Sequence, residues 1–97
     1  LNMKTLNEIK EIIKVKILIE RLELEDIRAD EIEDEEPLFG DGLGLDSVEA
    51  LDVVAGVEAE FGIKLQGLEE EEIRKHFYSV ATLAAFVEEQ LKEKVNS

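Results

Sequence analysis

The sequence predicts an all-α fold, a bundle of four helices with a long first loop and a short third helix. Apolar residues recur at three- and four-residue spacing in four separate stretches. Helix boundary signals bracket those stretches: Asp46 with Glu49 at one start, Gly62 at one stop, and Ser79 at another start. In the first stretch, where Ile and Val are dense, the helical period still outweighs a strand reading.

The first helix is expected from about Lys4 to Arg21. Leu6, Ile9, Ile13 and Ile17 form its apolar stripe and Ile12 widens it, while Lys10, Glu11, Lys14 and Lys16 fall on other faces. Residues 22–46 form the long connection. A connection of this length needs pins or a function. Leu22, Leu24, Ile27 and Ile32 read as pins, with a short helical turn expected between Asp26 and Ile32. Pro37 precedes Leu38 and Phe39, an expected buried pair. Gly40, Gly42 and Gly44 then alternate with Asp41, Leu43 and Leu45, which calls for unusual backbone or close approach by another group. The run is neither a dinucleotide fingerprint nor a nucleotide-phosphate loop, and Asp41 and Asp46 lack calcium-loop spacing.

Asp46 and Glu49 read as the capping box of the second helix, which places Ser47 at its first helical position. Val48, Leu51, Val54, Val57 and Phe61 are the expected buried stripe, and Gly56 signals a close helix crossing. Gly62 ends the helix. Glu49, Asp52, Glu58 and Glu60 leave an acidic outer side. The third helix is expected from about Glu69 to Phe77, thin in apolar residues. The fourth follows a Ser79 cap, with Val80, Leu83, Ala84, Val87 and Leu91 on one face, Phe86 beside them, and Lys92 and Lys94 near its end. Ala55 and Gly56 leave expected room for an apolar chain between the second and fourth helices.

The 97 residues fit one domain over 1–97, with a core from about 4 to 95. Met3 is a candidate start behind Leu1 and Asn2, and no apolar run is long enough for a signal peptide or a membrane span. With 25 acidic against 11 basic residues, the net charge is -14. Nucleic acid and anionic membranes should repel such a chain, and partners should present basic patches. Acidity that only keeps a small protein in solution is the plainer alternative. The absence of Cys excludes thiolate catalysis and disulfides and suits a reducing compartment. The expectation is a cytoplasmic monomer. No residues cluster at metal-ligand spacing. His76, the only histidine, lacks the strand and the Gly-x-Ser-x-Gly elbow that a Ser47–His76 pair would need, and reads as flanking the core beside Phe77.

Ser47 is the candidate functional residue. A phosphate ester on its hydroxyl would meet unpaired helix-start amides and the positive end of the helix. A serine there is also a common plain helix-start residue, and local physics alone does not separate the two.

Leu43-Gly44-Leu45-Asp46-Ser47-Val48 resembles the attachment motif of acyl carrier proteins, usually Leu-Gly-x-Asp-Ser-Leu. The resemblance extends to Pro37-Leu38-Phe39, Leu51-Asp52-Val53-Val54, Glu58-Ala59-Glu60-Phe61-Gly62-Ile63, Ser79-Val80 and Leu83-Ala84-Ala85-Phe86-Val87, nearly the whole chain from about Lys4 to Leu91. It implies a non-catalytic carrier with 4'-phosphopantetheine on Ser47, loaded from coenzyme A by a phosphopantetheinyl transferase. Acyl groups would ride on the arm as thioesters. Ketosynthase, acyltransferase or acyl-ligase enzymes with basic patches would dock at Asp46, Glu49, Asp52 and Glu58. Val48 stands where Leu is usual, Ala55 where Met is frequent, and Ala59 where an acid is expected. The stretch from Leu65 to Ser79 is longer than in housekeeping carriers. Gly40-Asp41-Gly42-Leu43-Gly44-Leu45 and Arg74-Lys75-His76-Phe77 resemble carriers of dedicated biosynthetic clusters more than those of bulk fatty-acid synthesis. An aminoacyl or peptidyl carrier shares Asp-Ser, and an acidic interaction module that carries nothing is the third reading.

Overall fold

A computed structural model describes residues 4–65 and 67–96; the candidate start at Met3, with Leu1 and Asn2, lies outside them. The first helix starts at a capping box. The Thr5 hydroxyl accepts from the Glu8 amide at 3.1 Å, and the Glu8 carboxylate accepts from the Thr5 amide at 2.8 Å. The Thr5 amide, helped by the Thr5 hydroxyl, holds the Glu8 carboxyl below its ordinary value.

Helix α1 spans Leu6–Ile12 and continues directly into a π-wound segment over Ile13–Arg21. The expected single α-helix is therefore present in position but not in winding. The Leu22 and Leu24 amides reach carbonyls five residues back, at Ile17 and Ile19, each at 3.1 Å. The segment is rich in branched side chains, at Ile13, Val15, Ile17 and Ile19. Burial follows both periods. Ile9, Ile13 and Ile17 lie four apart, Ile13 and Leu18 five apart, and all are fully buried.

The connection is pinned as its composition requires. Ile32 is buried, and Leu22, Leu24 and Ile27 pack partly buried against the core. A single 3-10 turn, Ala29–Glu31, falls within the expected interval. Asp34 then joins three segments. Its carboxylate pairs with Lys10 at 3.1 Å and Lys14 at 2.7 Å, and its carbonyl accepts the Ala81 amide at 2.8 Å.

Helix α2 spans Ser47–Phe61. Its buried residues are Val53, Gly56, Val57 and Phe61, so the expected stripe was rotated at its start. Val57 and Phe61 are inside and Val54 is half-buried, but Val48 and Leu51 are 71% and 72% exposed. Gly56 sets the rotation. A Cβ there would lie 2.9 Å from Arg21 Cδ and 3.1 Å from Ile17 Cγ2, so this face meets the π-wound segment directly. Gly62 caps the helix, and Lys94 Nζ donates to the Gly62 carbonyl at 2.6 Å.

Helix α3, Glu70–His76, is short and contributes no buried residue; Phe77, just after it, is buried. Helix α4, Val80–Asn96, starts where Ser79 and Thr82 exchange hydrogen bonds. The Ser79 amide donates to Thr82 Oγ1 at 3.0 Å, and the Thr82 amide to Ser79 Oγ at 3.2 Å. Val80, Leu83, Ala84 and Val87 are fully buried. His76 stacks on Phe86, ring centroids 4.2 Å apart, rather than merely lying beside Phe77.

Two outcomes follow from these contacts. The Lys14 and Lys10 ammonium groups hold the Asp34 carboxyl below its ordinary value of 3.8, so the folded state binds that proton less tightly than the unfolded chain. The stabilisation is present above 3.8 and is lost as pH falls through the lowered folded value. Asp34→Asn should therefore destabilise the protein near neutral pH, by about 0.2–1 kcal/mol per solvent-screened pair. The gap to wild type in urea melts should close as pH drops below that window. Gly56→Leu should cost about 1–3 kcal/mol from overpacking against Ile17 and Arg21, read as a lower urea midpoint.

Candidate functional site

The start of α2 is fixed from outside the helix. The Leu38 amide donates to the Tyr78 carbonyl at 2.8 Å, and the Leu38 carbonyl accepts the Leu45 amide at 3.0 Å. One buried residue thus joins the segment before α4 to the segment before α2. Phe39, its expected partner in burial, is only partly buried. The Leu43 amide donates to the Pro37 carbonyl at 2.9 Å, closing the glycine-rich turn. Gly42 is required in that turn, because a Cβ would overlap the Pro37 carbonyl oxygen.

The next residues build the helix start. Asp46 Oδ1 accepts the Glu49 amide at 2.9 Å, and Glu49 Oε1 accepts the Asp46 amide at 3.0 Å. The Ala50 amide donates to the Asp46 carbonyl at 2.9 Å. Of the first amides of the helix, those of Ser47 and Val48 remain without a helical acceptor. Ser47 is exposed at the first helical position, so its side chain sits at the positive end of a 15-residue helix.

A pocket of about 670 Å³ opens at Ser47, between the start of α2 and helix α3. Phe39, Leu45, Leu51, Ile73, Phe77 and Tyr78 supply its apolar lining, and Arg74 its cationic side chain. The pocket lies apart from the cargo space expected between α2 and α4, where Val57, Val80, Leu83 and Val87 are fully buried. His76 is not among the lining residues, which leaves Ser47 without that histidine in its pocket.

The four acidic positions singled out in the sequence differ in what they hold. Asp46 and Glu49 form the capping box. Glu58 Oε2 accepts the Leu65 amide at 2.8 Å and so fixes the exit from α2. Among the described residues, Asp52 alone of the four is both exposed and uncommitted to an internal hydrogen bond. Sequence reasoning missed the surface beside Ser47 made by Val48, Leu51 and Tyr78, the last 54% exposed. The signal was Gly56: a stripe drawn through it selects Val53 and Val57 and turns Val48 and Leu51 outward.

No group of three or more His, Asp or Glu side chains among the described residues is placed to hold a metal ion. No helix among them is long and apolar enough to cross a membrane. The site does suit a phosphodiester-linked arm, with an exposed hydroxyl, two helix-start amides and a largely apolar pocket at its side.

The model of a known family, described as the phosphopantetheine attachment site, matches residues 15–69. The matched part runs from the π-wound segment through α2 to the residue before α3 and includes the whole Ser47 motif. A search of curated proteins gave no match. With more than half of its length matched, the chain belongs to the phosphopantetheine-binding family of acyl carrier proteins, non-catalytic carriers of acyl groups on a covalently attached phosphopantetheine arm.

Proposed function

We propose that Ser47 is the residue that bears the arm. The observation that carries this reading is its exposed position at the start of α2, where two helix-start amides lack a helical acceptor and a largely apolar pocket opens. In loading, the Ser47 Oγ attacks the phosphorus of coenzyme A that bears the pantetheine. An O–P bond forms, the pyrophosphate linkage breaks, and the adenosine bisphosphate leaves with the electron pair; a base on the transferase takes the hydroxyl proton. The Ser47 and Val48 amides, at the positive end of α2, would be the groups to hold the phosphodiester oxygens. The bound arm supplies a terminal thiol for thioester formation.

The cargo in this reading is a fatty or polyketide-like acyl group. The apolar lining beside Ser47 favours it over an aminoacyl group. The chain acts as a single monomeric carrier domain in the cytoplasm. Its partners are a phosphopantetheinyl transferase and ketosynthase, acyltransferase or acyl-ligase enzymes with basic docking patches. Exposed Val48 and Leu51 add an apolar centre to the acidic docking side formed by Asp46, Glu49, Asp52 and Glu58. Departures such as Ala55 and Ala59 favour a specialised pathway over bulk fatty-acid synthesis.

Incubation with a broad-specificity transferase and coenzyme A should add one arm to wild type by intact mass. Ser47→Ala should fold as wild type and gain no mass; an arm found on Ser79 in that variant would refute the assignment. For docking, Asp52→Lys should slow loading several-fold at low salt with unchanged circular dichroism, and the gap should narrow as salt rises. Glu58→Lys should instead lower the melting temperature, because the Leu65 amide loses its acceptor. Equal loading rates for wild type and Asp52→Lys at low salt would rule out a docking role for that face.

A further inference from the structure

Helix α3 is held mainly at its C-terminal end, where His76 stacks on Phe86 and its carbonyl accepts the Thr82 hydroxyl at 2.9 Å. No residue within Glu70–His76 is buried, and its N-cap, Glu69, makes no side-chain capping bond. Yet this helix forms the wall of the pocket beside Ser47, through Ile73 and Arg74. Arg74 is the only cation among the pocket's lining residues, which also include the carboxylates of Asp46 and Glu70. Its Nη2 pairs with Glu70 Oε1 at 2.6 Å, one helical turn away, and the two side chains are 76% and 78% exposed. A pair so exposed contributes little, so exchanging the partner costs little.

Loading changes the balance. A phosphodiester on Ser47 Oγ places a full negative charge and two acceptor oxygens in a pocket that already carries two carboxylates. A guanidinium matches such a group with a planar pair of donors, and more strongly than it matches one exposed carboxylate oxygen. The Ser47 and Val48 amides face the group from the α2 side, and Arg74 lies on the α3 side.

We propose that Arg74 gives up Glu70 for the phosphodiester when Ser47 is loaded, so that the order of α3 reports whether the arm is present. The inference rests on the assignment of Ser47. It adds to that assignment a positioning residue on α3 and a coupling between the modification and the neighbouring helix. Enzymes that act before and after loading would then meet different α3 surfaces on the same carrier.

The test uses the full chain, isotopically labelled, without the arm and then brought to full loading by excess transferase and coenzyme A, with intact mass as the record of loading. Loading should slow amide exchange across Ile73–Phe77 by about two- to fivefold, the range an exposed ion pair supplies. It should also shift the Arg74 Nε–H resonance. Arg74→Gln, fully loaded, should lose the slowing. Lys75→Gln removes the same charge from the same helix outside the pocket lining and should keep it. Unchanged α3 exchange in loaded wild type, or equal slowing in Arg74→Gln, would overturn the proposal while leaving Ser47 as the loaded residue. A wild-type chain that gains no mass would overturn both.

Discussion

The site depends on the backbone of Leu38. Its side chain is fully buried, its amide is held by Tyr78 and its carbonyl holds Leu45, the residue before the cap of α2. Moving this residue would shift the start of α2 against the start of α4. The two bonds lie inside the bundle, where an unpaired amide or carbonyl costs more than the bond itself contributes. The register of the glycine-rich turn is therefore fixed by the core, and Ser47 inherits its position from it. Asp34 acts in parallel further back, gripping Lys10 and Lys14 with its carboxylate and Ala81 with its carbonyl. A connection with little regular structure is in this way tied back to the helix it leaves and across to the start of α4.

Carboxylates in this chain do more than set its charge. Glu8, Glu49 and Glu31 each accept a backbone amide three residues earlier, at Thr5, Asp46 and Arg28. Glu58 spans seven residues to hold Leu65. Each bond fixes an element boundary, which is where a small bundle has most unpaired backbone groups to satisfy. The charge of -14 is thus partly a by-product of how the helices begin and end.

Much of this was legible in the sequence. The capping box at Asp46 and Glu49, the stop at Gly62, the start at Ser79 and the Gly56 crossing all rest on short-range rules, and each is found where those rules place it. The motif around Ser47 was equally local. Three things were not legible. The π winding of Ile13–Arg21 shifts the hydrogen-bond period from four residues to five, which a four-residue apolar period does not record. The outward turn of Val48 and Leu51 depends on where α2 meets its neighbour, and both apolar stripes are available until that contact is chosen. The pocket walls from α3 join Ser47 only through tertiary packing, so Arg74 and Tyr78 carried no signal beside the motif.

The double use of the α2 carboxylates limits how this protein can change. A substitution at Asp46, Glu49 or Glu58 alters surface charge and removes a backbone acceptor in the same step. Drift at those positions is filtered by foldability before any partner senses it. Asp52 carries no such duty. Divergence between related carriers, or redesign of one for a new enzyme, has its least constrained coordinate there, and a lineage changing its associates should accumulate replacements at Asp52 sooner than at the helix ends.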